Sequence, residues 1–180
     1  SRNVSVIFGD GAGAVVLQPA QKEGQGILST HLHSDGADAE ILAMYYPGAA
    51  ANKWLPENPG YPDQELGGLF MTTEQLESGA ALPYMDGPAV FKKAVVKFPE
   101  VIREALKANH LTEKDIDLLV PHQANLRISQ YVQQLLGLSD NQVFNNIQKY
   151  GNTTAASVPI ALCEAWEAGK IKDGDLVCLA

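Results

Sequence analysis

Hydrophobic positions divide the chain into a strand-rich beginning, a long irregular middle and an alternating second half. Short β-type runs at Val4–Phe8, Ala14–Leu17 and Gly26–His33 predict three consecutive antiparallel strands. The segment GDGAGA, residues 9–14, predicts a tight turn with close backbone approach. Residues 34–84 are rich in Gly and Pro and show little periodicity, so they predict a long loop.

The second half alternates helical and strand patterns. A helix is predicted to begin near Pro88, to follow helical spacing as far as Leu106, and to kink or break at Pro99. The sequence TEKD from Thr112 resembles a capping box. The further predicted helices are Gln123–Leu136, ended by Gly137, and Thr153–Ala168, ended by Gly169; the predicted strands are Asp117–Val120, Gln142–Phe144 and Asp175–Ala180. This alternation indicates an α/β layered fold.

Composition is that of a globular protein. The chain has 180 residues, 46% hydrophobic and 19% charged, with a formal net charge of −8, which argues against a nucleic-acid binder. No apolar run approaches the roughly 18 residues that cross a bilayer. Cys163 and Cys178 form no paired motif and are expected to be two buried thiols in a reducing compartment. His31 and His33 share one face of a predicted strand but have no carboxylate or cysteine partner at ligand spacing, so no metal site is expected.

Two polar side chains stand where predicted strands or turns meet helices. His122 follows the carboxyl end of a predicted strand, the place where sites gather in open α/β sheets. Asn152 follows Gly151 just before a predicted helix, so it is either a functional amide or only an N-cap. Neither is a nucleophile. A neutral imidazole and an amide together supply two hydrogen-bond donors, which suit a developing oxyanion or enolate, and this chemistry needs a nucleophile from elsewhere.

Three ordered motifs carry a resemblance to a known family. FGDGAGAVVL, VPHQANLRI and GNTTAASVPIAL resemble β-ketoacyl-acyl-carrier-protein synthase III, and the 30 positions from His122 to Asn152 (152 − 122 = 30) suit that family. The resemblance implies a thiolase-like α/β fold, with a mixed sheet sandwiched by helices in a duplicated βαβ architecture, assembled as a cytoplasmic homodimer. It implies that residues 1–34 are the last strands of an amino-terminal half, 35–84 a connecting loop region, and 85–180 a carboxyl-terminal half truncated at its last strands.

The resemblance also implies an activity. The family uses a Cys-His-Asn triad, which places the histidine at His122 and the asparagine at Asn152, while the cysteine belongs to an amino-terminal half outside this sequence. An acyltransferase of this kind condenses acyl-CoA with malonyl-acyl-carrier protein by decarboxylative Claisen chemistry and initiates fatty-acid synthesis. Its substrates are the only small molecules implied, with no cofactor, metal, nucleic acid or membrane. A fragment without the cysteine is expected to be inactive alone.

Further positions carry over from the family. The channel for the pantetheine arm would include Gly87, Phe91, Ala124 and Asn125. Lys92 and Arg127 would meet the acidic acyl-carrier protein, since complementary charge steers encounter; for Lys92 the alternative is an ordinary solvated lysine.

Two other functions stay open at this point. One is a related ketosynthase of secondary metabolism or hydrocarbon synthesis, which would use other acyl substrates. The other is a non-catalytic partner subunit of a ketosynthase heterodimer. The sequence of the amino-terminal half, and above all its cysteine, would discriminate between them.

Overall fold

The computed structural model describes most of the chain as two compact units. The described residues are 4, 6–22, 24–44, 73–77 and 81–180. One unit comprises residues 1–6 and 35–90, and the other comprises residues 7–34 and 91–180. The predicted division at residues 34 and 84 stays a prediction.

The smaller unit contains a two-stranded antiparallel pair. Strand β1 (Leu42–Ala43) pairs with β2 (Tyr84–Met85), with Leu42 opposite Met85. A 3-10 turn, Gly36–Asp38, precedes β1, and a short helix α1, Thr73–Glu77, lies between the two strands in sequence. The segment predicted to be a loop therefore contains short regular elements where the structure describes it. Its residues 45–72 and 78–80 lie outside the described residues.

The long helix α2 spans Gly87–Ala108, as the helical spacing predicts. The carboxylate of Asp86 accepts a hydrogen bond from the Ala89 N–H at 3.0 Å and so caps its first turn. Of the kink or break predicted at Pro99, the break is wrong, because the helix runs unbroken through that residue, and the kink stays a prediction. Proline costs about 3 kcal/mol inside a helix. Burial of the neighbouring Ile102 and Leu106, worth roughly 1.5–3 kcal/mol each, offsets that cost.

The larger unit is built around one short parallel sheet. Strand β3 (Leu118–Val120) pairs in parallel with β4 (Val177–Leu179), and on its other edge Leu119 forms a parallel bridge with Val143. The helices that follow β3 are α3 (Leu126–Leu136), α4 (Ile147–Tyr150) and α5 (Ser157–Glu167). The predicted strands at 117–120 and 175–180 are confirmed in shorter form. The one predicted at 142–144 is reduced to the Val143 bridge, because a 3-10 turn at Asp140–Gln142 takes up its first residue.

Successive residues of β3 point to opposite layers, as strand geometry requires. Leu119 packs in a core cluster with residues of α2 and α3, including Ile102 and Val132. Leu118 and Val120 pack on the other side, against Ala161 and Ala165 of α5. Helices therefore cover both faces of the strand, and the predicted α/β layered architecture is confirmed.

Local end signals agree with the sequence. Gly137 ends α3 with φ at +67°, and Asn125 caps its start by accepting from the Arg127 N–H at 2.9 Å. The Asp115 carboxylate accepts from the Thr112 N–H at 2.7 Å, as the capping-box pattern predicts.

The three strands predicted near the beginning are not formed in the structure as described. Of residues 6–33, only Phe8 makes a strand-like bridge, in parallel with Asn152. Val16 is 91% exposed and Leu32 is 93% exposed. A strand needs a hydrogen-bonded neighbour, and no described residue pairs with residues 14–17 or 26–33. Across the described part of the chain, no helix is both long enough and apolar enough to cross a membrane.

Candidate functional site

His122 lies just beyond the carboxyl end of β3. Its backbone N–H donates to the carbonyl of Ala180 at 2.5 Å, and its carbonyl accepts from the Ala124 N–H at 3.0 Å. The imidazole Nδ1 lies 2.6 Å from the hydroxyl of Ser157, in the first turn of α5. The ring is half-buried, and this burial lowers the pKa of His122. The side chain is therefore held as a largely neutral imidazole with one nitrogen engaged.

Gln123 fixes the segment that carries His122. The side chain is 3% exposed. Its amide nitrogen donates to the carbonyl of Pro121 at 2.7 Å, and its amide oxygen accepts from the backbone N–H groups of Asn146 and Ile147 at 2.9 and 3.2 Å. A buried amide whose donor and acceptor are both used holds its neighbours in one arrangement. It joins the end of β3 to the start of α4.

Asn152 is held by its backbone and by its side-chain oxygen. Its N–H donates to the Ile7 carbonyl at 2.9 Å, and its carbonyl accepts from the Gly9 N–H at 3.0 Å. The Oδ1 atom accepts from the Thr154 N–H at 2.9 Å. Among the described residues none accepts from Nδ2, so both amide hydrogens stay available. The N-cap interpretation of Asn152 is wrong, because Thr153 precedes the 3-10 turn Thr154–Ala156 and Ala156 precedes α5. Oδ1 instead closes a local turn onto the Thr154 N–H, and Nδ2 is left for the functional interpretation, which stays a prediction.

The glycines around Asn152 are required by close backbone contact. A Cβ on Gly9 would collide with the carbonyl oxygen of Tyr150, and a Cβ on Gly13 would collide with the ring of Pro159. Gly151 has φ 69° and ψ −160°, a region that only glycine populates readily. The predicted close approach of the GDGAGA segment and the unusual backbone at Gly151 are both confirmed.

A second polar cluster supports the turn before Asn152. Glu164 of α5 accepts hydrogen bonds from the Tyr150 hydroxyl at 2.5 Å, from Asn146 Nδ2 at 2.9 Å and from Lys149 Nζ at 3.1 Å. These contacts, that from Tyr150 above all, hold the pKa of the Glu164 carboxyl below its ordinary value. The same contact raises the pKa of Tyr150. One carboxylate on α5 thus anchors the whole of α4.

His122 contacts the first residue of α5, and Asn152 lies shortly before that helix in sequence. Ser157, which contacts His122, begins that helix, and Asn152 precedes it by five residues (157 − 152 = 5). Within the described residues, His122 Nε2 and Asn152 Nδ2 have no hydrogen-bond partner. An amide N–H group and an imidazole nitrogen that carries a hydrogen can together stabilise a developing negative charge. The role expected of His122 and Asn152 stays a prediction.

The other expected site residues occupy varied positions. Asn125 uses its side-chain oxygen to cap α3, and Ala124 is half-buried. Phe91 packs edge-on against Tyr131, with ring centroids 6.4 Å apart. Gly87 begins α2 in the smaller unit, while Lys92 and Arg127 are exposed. Their expected roles stay predictions.

The cysteines and the other histidines differ from expectation. Cys163 is exposed rather than buried, because it faces outward on α5. Burial raises the pKa of the Cys178 thiol to about 11, so it stays protonated near neutral pH. His31 and His33 do have a carboxylate partner, Glu104, at 3.1 and 2.6 Å. The described part of the chain nevertheless holds no group of three or more potential ligands arranged for a metal ion.

Three residues with clear roles at this site were missed from sequence: Gln123, Ser157 and Glu164. Ser157 stands in the first turn of a predicted helix, where a hydroxyl is ordinary. Only its contact with a residue 35 positions away makes it notable.

Comparison with known proteins connects this geometry to a family. Residues 106–180 match the family described as 3-oxoacyl-[acyl-carrier-protein] synthase III C terminal, and residues 1–36 match 3-oxoacyl-[acyl-carrier-protein] synthase III. The chain is 42% identical over 178 residues to a β-ketoacyl-[acyl-carrier-protein] synthase III of Salmonella arizonae, covering 99% of this chain and 48% of that protein. The chain therefore spans about half the length of the curated relatives that it matches.

Solved structures give the same picture. The 3-oxoacyl-(acyl carrier protein) synthase III of Pseudomonas aeruginosa PAO1 superposes with a TM-score of 0.76 at 33% identity, covering 99% of this chain and 47% of that chain. The β-ketoacyl-[acyl carrier protein] synthase III of Thermus thermophilus gives a TM-score of 0.72 at 36% identity, covering 99% and 48%. The thiolase-like fold of these enzymes is thus the fold of this chain.

Proposed function

We propose that this chain, which belongs to the 3-oxoacyl-[acyl-carrier-protein] synthase III family, is the carboxyl-terminal part of an acyltransferase that initiates fatty-acid synthesis. The enzyme condenses acyl-CoA with malonyl-acyl-carrier protein. One observation carries the proposal: His122 and Asn152 each have one polar atom fixed by a hydrogen bond and the other unengaged among the described residues, at the amino-terminal end of α5.

The first half-reaction acylates a cysteine. Its thiolate attacks the carbonyl carbon of acyl-CoA, a new carbon–sulfur bond forms, and the bond to CoA breaks so that CoA leaves as a thiolate. We assign this cysteine to the amino-terminal part of the enzyme. The protonated thiol of Cys178 and the outward position of Cys163 support that assignment.

The second half-reaction uses the two donors of this chain. Malonyl-acyl-carrier protein loses carbon dioxide, and the electron pair of the broken carbon–carbon bond moves toward the thioester oxygen. His122 Nε2–H and Asn152 Nδ2–H donate to that oxygen and stabilise the enolate. The enolate carbon then attacks the acyl-cysteine carbonyl and the cysteine thiolate leaves. Fixed donors in a half-buried site need little reorganisation, which is why they are effective.

The proposal extends to partners and surroundings. Lys92 and Arg127 are exposed cations suited to an acidic carrier protein. Gly87, Phe91, Ala124 and Asn125 would line the path of the pantetheine arm. The complete enzyme would be a cytoplasmic homodimer that uses its two substrates without a further cofactor or metal, and without nucleic acid or membrane.

The test is a condensation assay with the full-length enzyme. It would be supplied with labelled acyl-CoA of several chain lengths and malonyl-acyl-carrier protein, and the 3-oxoacyl product would be separated and counted. Condensation product at a rate typical of enzymes, and its loss in His122→Ala, would support the proposal. Carbon dioxide release without product from any of these acyl-CoA substrates would point to a related ketosynthase with another acyl substrate, and no carbon dioxide release at all would indicate a non-catalytic subunit.

A further inference from the structure

Ser157 is a buried hydroxyl whose hydrogen-bond partners can be counted. The residue is 2% exposed, so bulk water has little access to the hydroxyl. Its Oγ atom has two neighbours at hydrogen-bond distance among the described residues: His122 Nδ1 at 2.6 Å and the backbone N–H of Gln123 at 3.2 Å. A hydroxyl carries one donor hydrogen and two acceptor lone pairs.

The two neighbours make unequal demands. The Gln123 N–H is only a donor, so it must occupy one lone pair of Oγ. The imidazole Nδ1 is a donor or an acceptor according to its tautomer. If Nδ1 carried the hydrogen, both contacts would enter Oγ as donors. The hydroxyl hydrogen of Ser157 would then be buried without an acceptor among the described residues, at a cost of about 1–3 kcal/mol.

The opposite arrangement satisfies every group. We infer that Ser157 donates its hydroxyl hydrogen to Nδ1 of His122 and so holds the neutral imidazole with its hydrogen on Nε2. The distance of 2.6 Å between the two atoms is that of a well-formed hydrogen bond. Ser157 is then a positioning residue that selects which nitrogen of His122 is the donor.

This inference rests on the proposed function for its consequence. A neutral histidine donates to an enolate oxygen only from the nitrogen that carries a hydrogen. With the hydrogen on Nδ1, Nε2 would present a lone pair to the oxygen and repel it. The hydroxyl of Ser157 therefore converts His122 from a possible acceptor into the donor that enolate stabilisation needs. The hydrogen bond from the backbone N–H of Gln123 contributes to this selection, because it orients the Oγ atom of Ser157.

The experiment reads the tautomer directly. The full-length enzyme would be labelled with ¹⁵N-histidine, and the ring nitrogens of His122 would be identified in a correlation spectrum by their loss in His122→Gln. At a pH where the ring is neutral, the hydrogen is expected on Nε2, with Nδ1 at a resonance typical of an accepting nitrogen. In Ser157→Ala, the Nδ1 resonance should move as its hydrogen bond is lost. Carbon dioxide release from malonyl-acyl-carrier protein should fall on the order of tenfold or more, by analogy with metal-bound histidines, whose activity falls about 10–100-fold when the partner of the other ring nitrogen is removed.

Two variants separate positioning from folding. Ser157→Thr keeps a hydroxyl and should restore both the Nδ1 resonance and carbon dioxide release. Ser129→Ala removes another buried hydroxyl, one that has no partner within the described chain, and should change neither readout.

The outcomes are distinguishable from those for the proposed function. A hydrogen on Nδ1 in the unsubstituted enzyme, or an unchanged Nδ1 resonance in Ser157→Ala, overturns the inference even if condensation proceeds. If Ser157→Ala does not fold, the inference is still tested by which ring nitrogen of His122 carries the hydrogen in the unsubstituted enzyme. If the unsubstituted enzyme releases no carbon dioxide, the proposed function is overturned. The ¹⁵N resonances of His122 in the same sample still show whether Ser157 donates to Nδ1.

Discussion

Removing either donor should separate the two half-reactions of the full-length enzyme. His122→Ala and Asn152→Ala are expected to block condensation and yet leave acyl transfer from acyl-CoA to the cysteine largely intact. Acyl transfer needs a thiolate, which does not depend on these donors. Decarboxylation needs a stabilised enolate, and the structure leaves His122 Nε2 and Asn152 Nδ2 unengaged among the described residues for that purpose.

The magnitude follows from comparable donors. Loss of one such donor costs about 10²–10³-fold in rate, or roughly 3–4 kcal/mol. Asn152 is 9% exposed and His122 is half-buried, so water replaces neither donor easily. Both donors serve one oxygen, and the double variant should therefore lose less than the product of the two single losses.

A sharper substitution isolates the donor at position 152. Asn152→Asp keeps an oxygen that can accept from the Thr154 N–H but removes the amide hydrogens. Its backbone contacts with Ile7 and Gly9 do not depend on the side chain. It should therefore fold like the unsubstituted enzyme and lose decarboxylation.

The assay measures labelled acyl-enzyme beside carbon dioxide release for each variant. His33→Ala and Asn141→Ala remove the same side-chain types from exposed positions, and both steps should be unchanged. Equal losses in acyl transfer and decarboxylation for both site variants would refute the reasoning. His122 and Asn152 would then act on the cysteine or on folding instead of on the enolate.

Four further outcomes are expected. Gly151→Ala should destabilise the protein more than Gly137→Ala does, and urea unfolding of the two variants would compare them. Gly137 has ordinary left-handed backbone geometry, so alanine there should cost about 1–2 kcal/mol. Because the pKa of Glu164 is lowered in the folded protein, the stability that its carboxylate contributes should be present above about pH 4 and lost as the pH falls below that value. In Glu164→Gln, the urea concentration at the midpoint of unfolding should therefore depend less on pH in this range. The raised pKa of Tyr150 predicts a second loss of stability above about pH 10. The 180-residue chain alone should show no condensing activity in the labelled-product assay, and a rate near that of the full-length enzyme would contradict this.

Local signals in the sequence were sufficient wherever the structure depends on nearby residues. Helical spacing and a terminal glycine located α3, and the capping pattern at Thr112 located its turn. The placement of His122 and Asn152 before helices was also predicted correctly, because strand ends and helix starts have local sequence signals. Pairing is different, since it depends on distant partners. The runs at 14–17 and 26–33 have strand composition, but composition does not supply a hydrogen-bonded neighbour.

The same distinction explains the residues that were missed. Glu164 reaches Tyr150 across 14 positions, and Ser157 reaches His122 across 35. Neither contact follows from helical or strand spacing. The exposure of Cys163 was also missed, because its helix has apolar residues on several sides and the composition alone did not show which side faces outward.

One helix supports the surroundings of both donors in the proposed function. The amino-terminal end of α5 contacts His122 through Ser157 and begins five residues after Asn152, while Glu164 farther along the same helix holds α4. Each side chain also has support of its own, since the His122 N–H donates to Ala180 and the backbone of Asn152 is bonded to Ile7 and Gly9. The proposed enolate stabilisation needs two donors to meet one oxygen, so the contacts from α5 add to the alignment that these backbone bonds set. In this arrangement Ser157 and Glu164 do different work, because the first sets the hydrogen of one donor and the second holds the turn that carries the other.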